Sequence, residues 1–154
     1  MIEVFKTSVN REDVLKLLQQ STDYAMSLYP SESNHLDGVS ELSKPNVHFV
    51  AALEQQQIVA IGSVKILYCD QKYGEVKRVF VLPTHRGKGI SKLIMNALEF
   101  FLLENDIAIS RLETGVKQPE AIALYKGIGY LERSPFGKYE ADPLSIFMEK
   151  QLCI

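Results

Sequence analysis

Apolar residues recur along this chain in two rhythms, one close to every second position and one close to every third or fourth. Ile2 to Val9 alternates loosely and predicts a first strand. Asn10 is suited to cap the helix that follows, and Glu12 and Asp13 would sit in its first turn, where a helix dipole favours acidic groups. Val14, Leu15, Leu17 and Leu18 give that helix a core face, and helical character resumes after Ser21 with Tyr24, Ala25 and Leu28 until Pro30 interrupts it. Ser31 to Asn46 is polar and rich in turn residues, with room for a short helix near Val39 to Leu42; such a stretch is either a binding loop or a plain surface connection. Val47 to Leu53 and Ile58 to Tyr68 read as strands joined by the polar turn Glu54 to Gln57, hence an antiparallel hairpin, with Gly62 as a candidate bulge. After a polar turn from Cys69 to Gly74, Glu75 to Leu82 returns as the third strand of a meander, and Pro83, lacking an N–H, ends it.

The second half changes rhythm. Ile90, Leu93, Ile94, Ala97, Leu98, Phe101 and Leu102 fall on one face of a helix running from Ile90 to about Asn105. Ala108 to Val116 predicts a strand parallel to the one before that helix. Gln118-Pro119-Glu120 opens another helix, with proline at its first position, carrying Ala121, Ile122, Leu124, Tyr125 and Ile128 up to the stop at Gly129. Tyr130 to Arg133 starts a further strand, Ser134 to Leu144 is a loop, and Ser145 to Leu152 is the last strand. The order βα(α)ββ-βαβαβ-β describes a mixed α/β fold around one sheet. At 154 residues the expectation is a single domain, 1–154.

Composition narrows the classes. Apolar content of 46% and charged content of 23% are ordinary for a globular protein, and a net charge of −2 argues against nucleic acid as the main partner. No segment approaches the ~20 apolar residues of a membrane span, and the N-terminus lacks the basic-then-apolar pattern of a signal peptide. Cys69 and Cys153 are too few for a disulfide framework, so a reduced, cytoplasmic setting is expected. His35, His48 and His85 show no ligand spacing, so no metal is expected. The apolar strand Ile146 to Leu152 could pair across a homodimer.

The chemistry concentrates between Glu75 and Ser91. A buried strand stops at Pro83, and Gly87 and Gly89 then let the backbone turn tightly and approach a ligand. A helix N-terminus follows, with unpaired N–H groups and partial positive charge, and Arg86, Lys88 and Lys92 add full charges. Together these make a cradle for a pyrophosphate. The turn matches neither a P-loop, which would end Gly-Lys-Ser/Thr with four residues between its glycines, nor the three-glycine dinucleotide fingerprint.

Arg86-Gly87-Lys88-Gly89-Ile90-Ser91 resembles the Arg/Gln-x-x-Gly-x-Gly/Ala acyl-CoA signature of the GNAT N-acetyltransferase superfamily. The strand Glu75 to Pro83 resembles the family strand before that signature. Gln118 to Tyr130 resembles its later Asn-x-x-Ala-x-x-Leu-Tyr…Gly-Phe segment. The likeness covers about Val47 to Arg133, and before that only the element order fits. Ser91 stands where the family has a small Gly or Ala, and Gln118 where it has Asn. The resemblance implies a GNAT-like fold whose central parallel strands splay apart around acetyl-CoA as co-substrate. Backbone at Val79, Phe80 and Val81 would pair with the pantetheine arm. Amides from Arg86 through Gly87, Lys88, Gly89, Ile90 and Ser91 would hold the pyrophosphate, and Gln118 belongs to the same cofactor-binding set. The implied activity is acetyl transfer to a primary amine of a small molecule by direct attack in a ternary complex. A protein amine as acceptor and a catalytically inactive acyl-CoA-binding module are the other readings.

Within that reading Tyr125 resembles the tyrosine that protonates the coenzyme sulfur, and core packing is its competing role. Glu75 lies where some members carry a glutamate base; its competing role is an exposed carboxylate at a strand start. Lys77 and Arg78 are expected on opposite faces of their strand. Glu113 would orient an amine or pair with Arg78, His35 is a candidate substrate contact, and Pro135 to Tyr139 is either an aromatic wall of the acceptor pocket or a plug over the core.

Overall fold

The computed structural model describes residues 1–152, so the expectation of a reduced Cys153 falls outside the described residues. In chain order the elements are β1 (Ile2–Lys6), α1 (Glu12–Leu28), α2 (Val39–Leu42), β2 (Val47–Glu54), β3 (Gln57–Tyr68), β4 (Lys72–Val81), α3 (Ile90–Glu104), β5 (Ile109–Gly115), α4 (Pro119–Gly127), β6 (Leu131–Arg133) and β7 (Ser145–Gln151). The strands form one seven-stranded sheet in the order β1-β2-β3-β4-β5-β7-β6. Every neighbouring pair is antiparallel except β4 and β5. No helix among the described residues is long and apolar enough to cross a membrane.

Strand alternation sorts side chains into two cores. On one face Val50, Ala52 and Val81 pack with Ile90, Ile94, Leu98 and Leu102 of α3 and with Tyr125. On the other Phe49, Ala51, Ile61 and Phe80 pack with Val14, Leu17 and Leu18 of α1 and with Leu42 of α2. A smaller cluster of Tyr73, Ile109, Phe136 and Phe147 closes the end of β4.

Five expectations about the elements change. The N-cap of α1 is Arg11 rather than Asn10, and it makes no side-chain cap hydrogen bond. Helix α1 runs unbroken through Ser21, which is small, buried and faces β4. Strand β4 begins at Lys72 rather than Glu75, because Tyr73 is buried against residues distant in sequence and Gly74 pairs with Ile66. The register shift does fall opposite Gly62, but the extra residue belongs to β4. Ile61 pairs with Phe80 and Ser63 with Lys77, leaving both Arg78 and Val79 opposite one glycine. Strand β7 lies between β5 and β6 and is bonded to β6 from Phe147 to Glu149, so it is not a free edge along its length; the sheet's outer strands are β1 and β6.

The feature that shapes the site is where β4 and β5 part. They pair only at Gly74 with Ser110, Glu75 with Arg111 and Val76 with Leu112. Beyond Val76, β4 stays with β3, while β5 pairs along its whole length with β7. A wedge opens between them.

Candidate active site

A cleft of about 710 Å³ fills this wedge, lined by Glu75 to Val81 of β4, Leu112 to Gly115 of β5, the start of α3, α4, and the segment after α1. At one end Gly87 has φ +82° and Gly89 φ +77°. A Cβ on either would meet nothing within 4 Å, so the left-handed backbone, not crowding, calls for glycine. Gly89 is the N-cap of the 15-residue helix α3, whose first turn has no side-chain cap and no acidic residue. The amides of Ile90, Ser91 and Lys92 are therefore free to meet an anion.

The basic residues divide. Lys92 lines the cleft. The Arg86 Nε donates to the Val81 carbonyl at 3.1 Å, and its guanidinium lies 5.5 Å over both the Tyr24 and Phe80 rings. That side chain ties down the end of β4. Lys88 is not among the cleft-lining residues; its Nζ sits 3.5 Å from Glu54.

Along the middle of the cleft, β4 from Lys77 to Val81 has no strand neighbour on the β5 side. Arg78 has φ +61° at the bulge, which cancels the alternation expected for it and Lys77. Both reach the same loop: Lys77 Nζ lies 3.3 Å from the Asp37 carboxylate and Arg78 Nη1 donates to the Asp37 carbonyl at 2.7 Å. Arg78 Nη2 also donates to the Leu18 carbonyl and the Thr22 hydroxyl, fastening the bulge to α1.

At the far end Glu75 is only 4% exposed. Its Oε2 accepts from the Tyr139 hydroxyl at 2.5 Å, and that hydroxyl accepts from Lys77 Nζ at 3.0 Å. Burial raises the Glu75 pKa above the ordinary carboxylate value, against the opposing pull of Lys77 and the Tyr139 hydrogen bond. Tyr125 lies across the cleft from α4, its hydroxyl lifted by burial to about 12 and so held protonated at neutral pH. Its ring meets Tyr130 edge-on at 6.0 Å. Gln118 is the N-cap of α4, and its Oε1 accepts from the Tyr29 hydroxyl at 3.2 Å. Glu113 pairs with His35 at 2.8 Å and accepts from the Ser145 hydroxyl at 2.8 Å, rather than pairing with Arg78. A cluster of His, Cys, Asp and Glu able to hold a metal is absent among the described residues.

A strand edge laid bare beside a glycine turn and a helix start is the arrangement that the resemblance implies. The model of the acetyltransferase (GNAT) family matches residues 12–130. The chain belongs to the GNAT family. It is 39% identical over 151 residues to the IAA acetyltransferase of Azospirillum brasilense, covering 98% of each chain. It is 27% identical over 120 residues to the aminoalkylphosphonate N-acetyltransferase of Salmonella typhimurium, covering 76% of this chain and 73% of the relative. Among solved structures, a candidate acyl-CoA N-acyltransferase from Klebsiella pneumoniae superposes with a TM-score of 0.82 at 30% identity, covering 99% of both chains. The PaiA N-acetyltransferase of Thermoplasma acidophilum, solved with coenzyme A, shares the fold with a TM-score of 0.74 at 16% identity, covering 98% of this chain and 99% of that one. The protein is an N-acetyltransferase with the GNAT fold.

In this GNAT chain the wedge gathers Glu75, Val79 to Val81, Arg86, Gly87, Gly89, Ile90, Ser91, Gln118 and Tyr125 around one cleft, together with His35, Glu113 and Tyr139. Sequence reasoning missed the Tyr139–Glu75 hydrogen bond and the Asp37 anchor of Lys77. Both partners lie in loops without periodicity, and no spacing links them to β4.

Proposed function

We propose that this N-acetyltransferase, in a single domain, moves the acetyl group of acetyl-CoA to a primary amine of a small molecule within a ternary complex. The observation that carries this is the loss of β4's neighbour after Val76, just before the strand runs into the free amides of α3. A bare strand edge suits the amide-bearing pantetheine arm, and the ring of N–H groups from Gly87 to Ser91 suits a diphosphate. The names of two relatives, an IAA acetyltransferase and an aminoalkylphosphonate N-acetyltransferase, support a small acceptor.

Each protein group then has a task. The backbone N–H near Val79 polarises the thioester carbonyl. The ionised Glu75, beside Tyr139, takes a proton from the nitrogen as the C–N bond forms. Tyr125, protonated throughout the neutral range, gives one to the departing sulfur. An alkyl ammonium loses two protons overall; the sulfur gains one and water the other.

Calorimetry with acetyl-CoA and ATP, followed by an amine panel read by mass spectrometry, tests the proposal. Mass spectrometry is the suitable readout because Cys69 is an exposed free thiol that would react with thiol-trapping dyes. Acetyl-CoA binds, ATP does not, and Gly87→Asp with Gly89→Asp abolishes binding. No binding of acetyl-CoA, or binding that survives both aspartates, overturns the proposal.

A further inference from the structure

The acceptor end of the cleft holds a second proton-accepting group that the scheme above does not use. His35 lines the cleft, and its Nδ1 is 2.8 Å from Glu113 Oε2. A carboxylate only accepts, so in the neutral imidazole Nδ1 carries the proton and Nε2 the lone pair. Among the described residues no hydrogen bond engages Nε2. Glu113 is itself fixed from the other side by the Ser145 hydroxyl at 2.8 Å. The imidazole packs edge-on against Tyr139 at 5.1 Å, and that same tyrosine holds Glu75. Nucleophile-side acid–base groups thus flank one aromatic side chain from two directions. The His35 side chain is 34% exposed, so a proton taken up there has a way to solvent.

Resting on the amine-acetylation reading, we infer that His35 is a catalytic residue that converts the bound ammonium to the reactive amine, with Glu113 and Ser145 as its positioning residues. Nε2 accepts one N–H proton from the ammonium. The resulting imidazolium keeps its Nδ1–H hydrogen bond to Glu113 and releases the Nε2 proton to water. The nitrogen, now with a free lone pair, attacks the thioester, and its second proton goes to Glu75. The charged and titratable groups facing His35 are Glu113 from β5, Asp142 ahead of β7 and Tyr139 from the loop before it, with Tyr29 at the end of α1 beyond Glu113 and the Glu75–Lys77 pair of β4 beyond Tyr139.

The test compares wild type with His35→Gln and Glu113→Gln, each as the full chain, using the best amine of the panel. His35→Gln lowers kcat/KM for the amine by about 100-fold near pH 7, and the deficit closes toward pH ~10, where an alkyl ammonium loses its proton unaided. Acetyl-CoA binding is unchanged. Glu113→Gln shows a smaller deficit of the same pH shape. Independently of any acceptor, nitrogen NMR of the resting protein reports the Nδ1–H tautomer of His35 in wild type and its loss in Glu113→Ala, which removes the acceptor. A deficit equal at all pH values, no deficit, or an Nε2–H tautomer in the wild type overturns the role of His35 while leaving acetyl transfer standing. If no amine is turned over, the functional reading falls and this role falls with it.

Discussion

Burial raises the pKa of both Tyr125 and Glu75, and their proposed roles would use that rise in opposite ways. For Tyr125, desolvation raises the hydroxyl pKa to about 12 and keeps the proton on a donor. Tyr125→Phe removes that proton and little volume, so kcat falls by about 10- to 100-fold with acetyl-CoA affinity unchanged, as single-turnover kinetics and calorimetry would show. For Glu75, burial raises the carboxyl pKa, and in its proposed role it would act as a base only when ionised. The sign follows: activity is lost as pH falls through that raised value, at higher pH than an ordinary carboxylate would give. Glu75→Gln removes that limb from the pH–kcat profile, and its deficit persists at alkaline pH, because the proton it takes leaves the nitrogen only during attack. Both residues were legible in the sequence as candidates through their motif positions. Their competing roles are structural; the structure puts both residues on one cleft, which no spacing reveals, and the two substitutions above separate the roles.

At the scale of elements, the β4 bulge sets which side chains of that strand reach the Asp37 loop. The sequence marks Gly62 as the irregular position, and the register does shift there, yet the inserted residue is on the partner strand. Alternation alone sends Lys77 and Arg78 to opposite faces; φ +61° at Arg78 brings both to the Asp37 loop. A non-glycine residue in that region costs about 1–2 kcal/mol, offset here by hydrogen bonds from the guanidinium to Leu18, Thr22 and Asp37. Two substitutions separate the terms. Arg78→Ala loses the bonds and keeps the strain, costing about 2–4 kcal/mol in denaturant unfolding. Arg78→Gly loses the same bonds but relieves the strain, so it is the more stable of the two by about 1 kcal/mol. Equal stabilities would mean the backbone carries no strain there. Elements with strong rhythm, α3 above all, were readable in advance. The early start of β4 was not, because Tyr73 earns its burial from Ile109, Phe136 and Phe147, all remote in sequence.

For the whole molecule, one sheet is built from two halves. Strands β1 to β4 form one antiparallel set and β5, β7 and β6 the other, and three parallel residue pairs join them. The β2-β3-β4 meander follows from the sequence, since short polar turns join those strands, whereas the place of β1 beside β2, across the long connection from Lys6 to Val47, does not. The insertion of β7 between β5 and β6 does not, since the loop from Ser134 to Leu144 has no length or pattern that selects one side of β5 over another. The second half is nonetheless anchored firmly: Arg111 of β5 is fully buried and bonded to both Asp70 and Glu149.

That narrow seam has a kinetic signature. Main-chain amides of Lys77 to Val81 that face the wedge have no strand partner, so in the free protein their deuterium uptake is fast for a segment flanked by core residues. A pantetheine arm lying along them would act as the missing strand, and uptake at those wedge-facing amides would slow while the already paired β2–β3 ladder stays as it was. The substrate would then be a temporary part of the sheet, and each turnover would begin and end with that part being inserted and withdrawn.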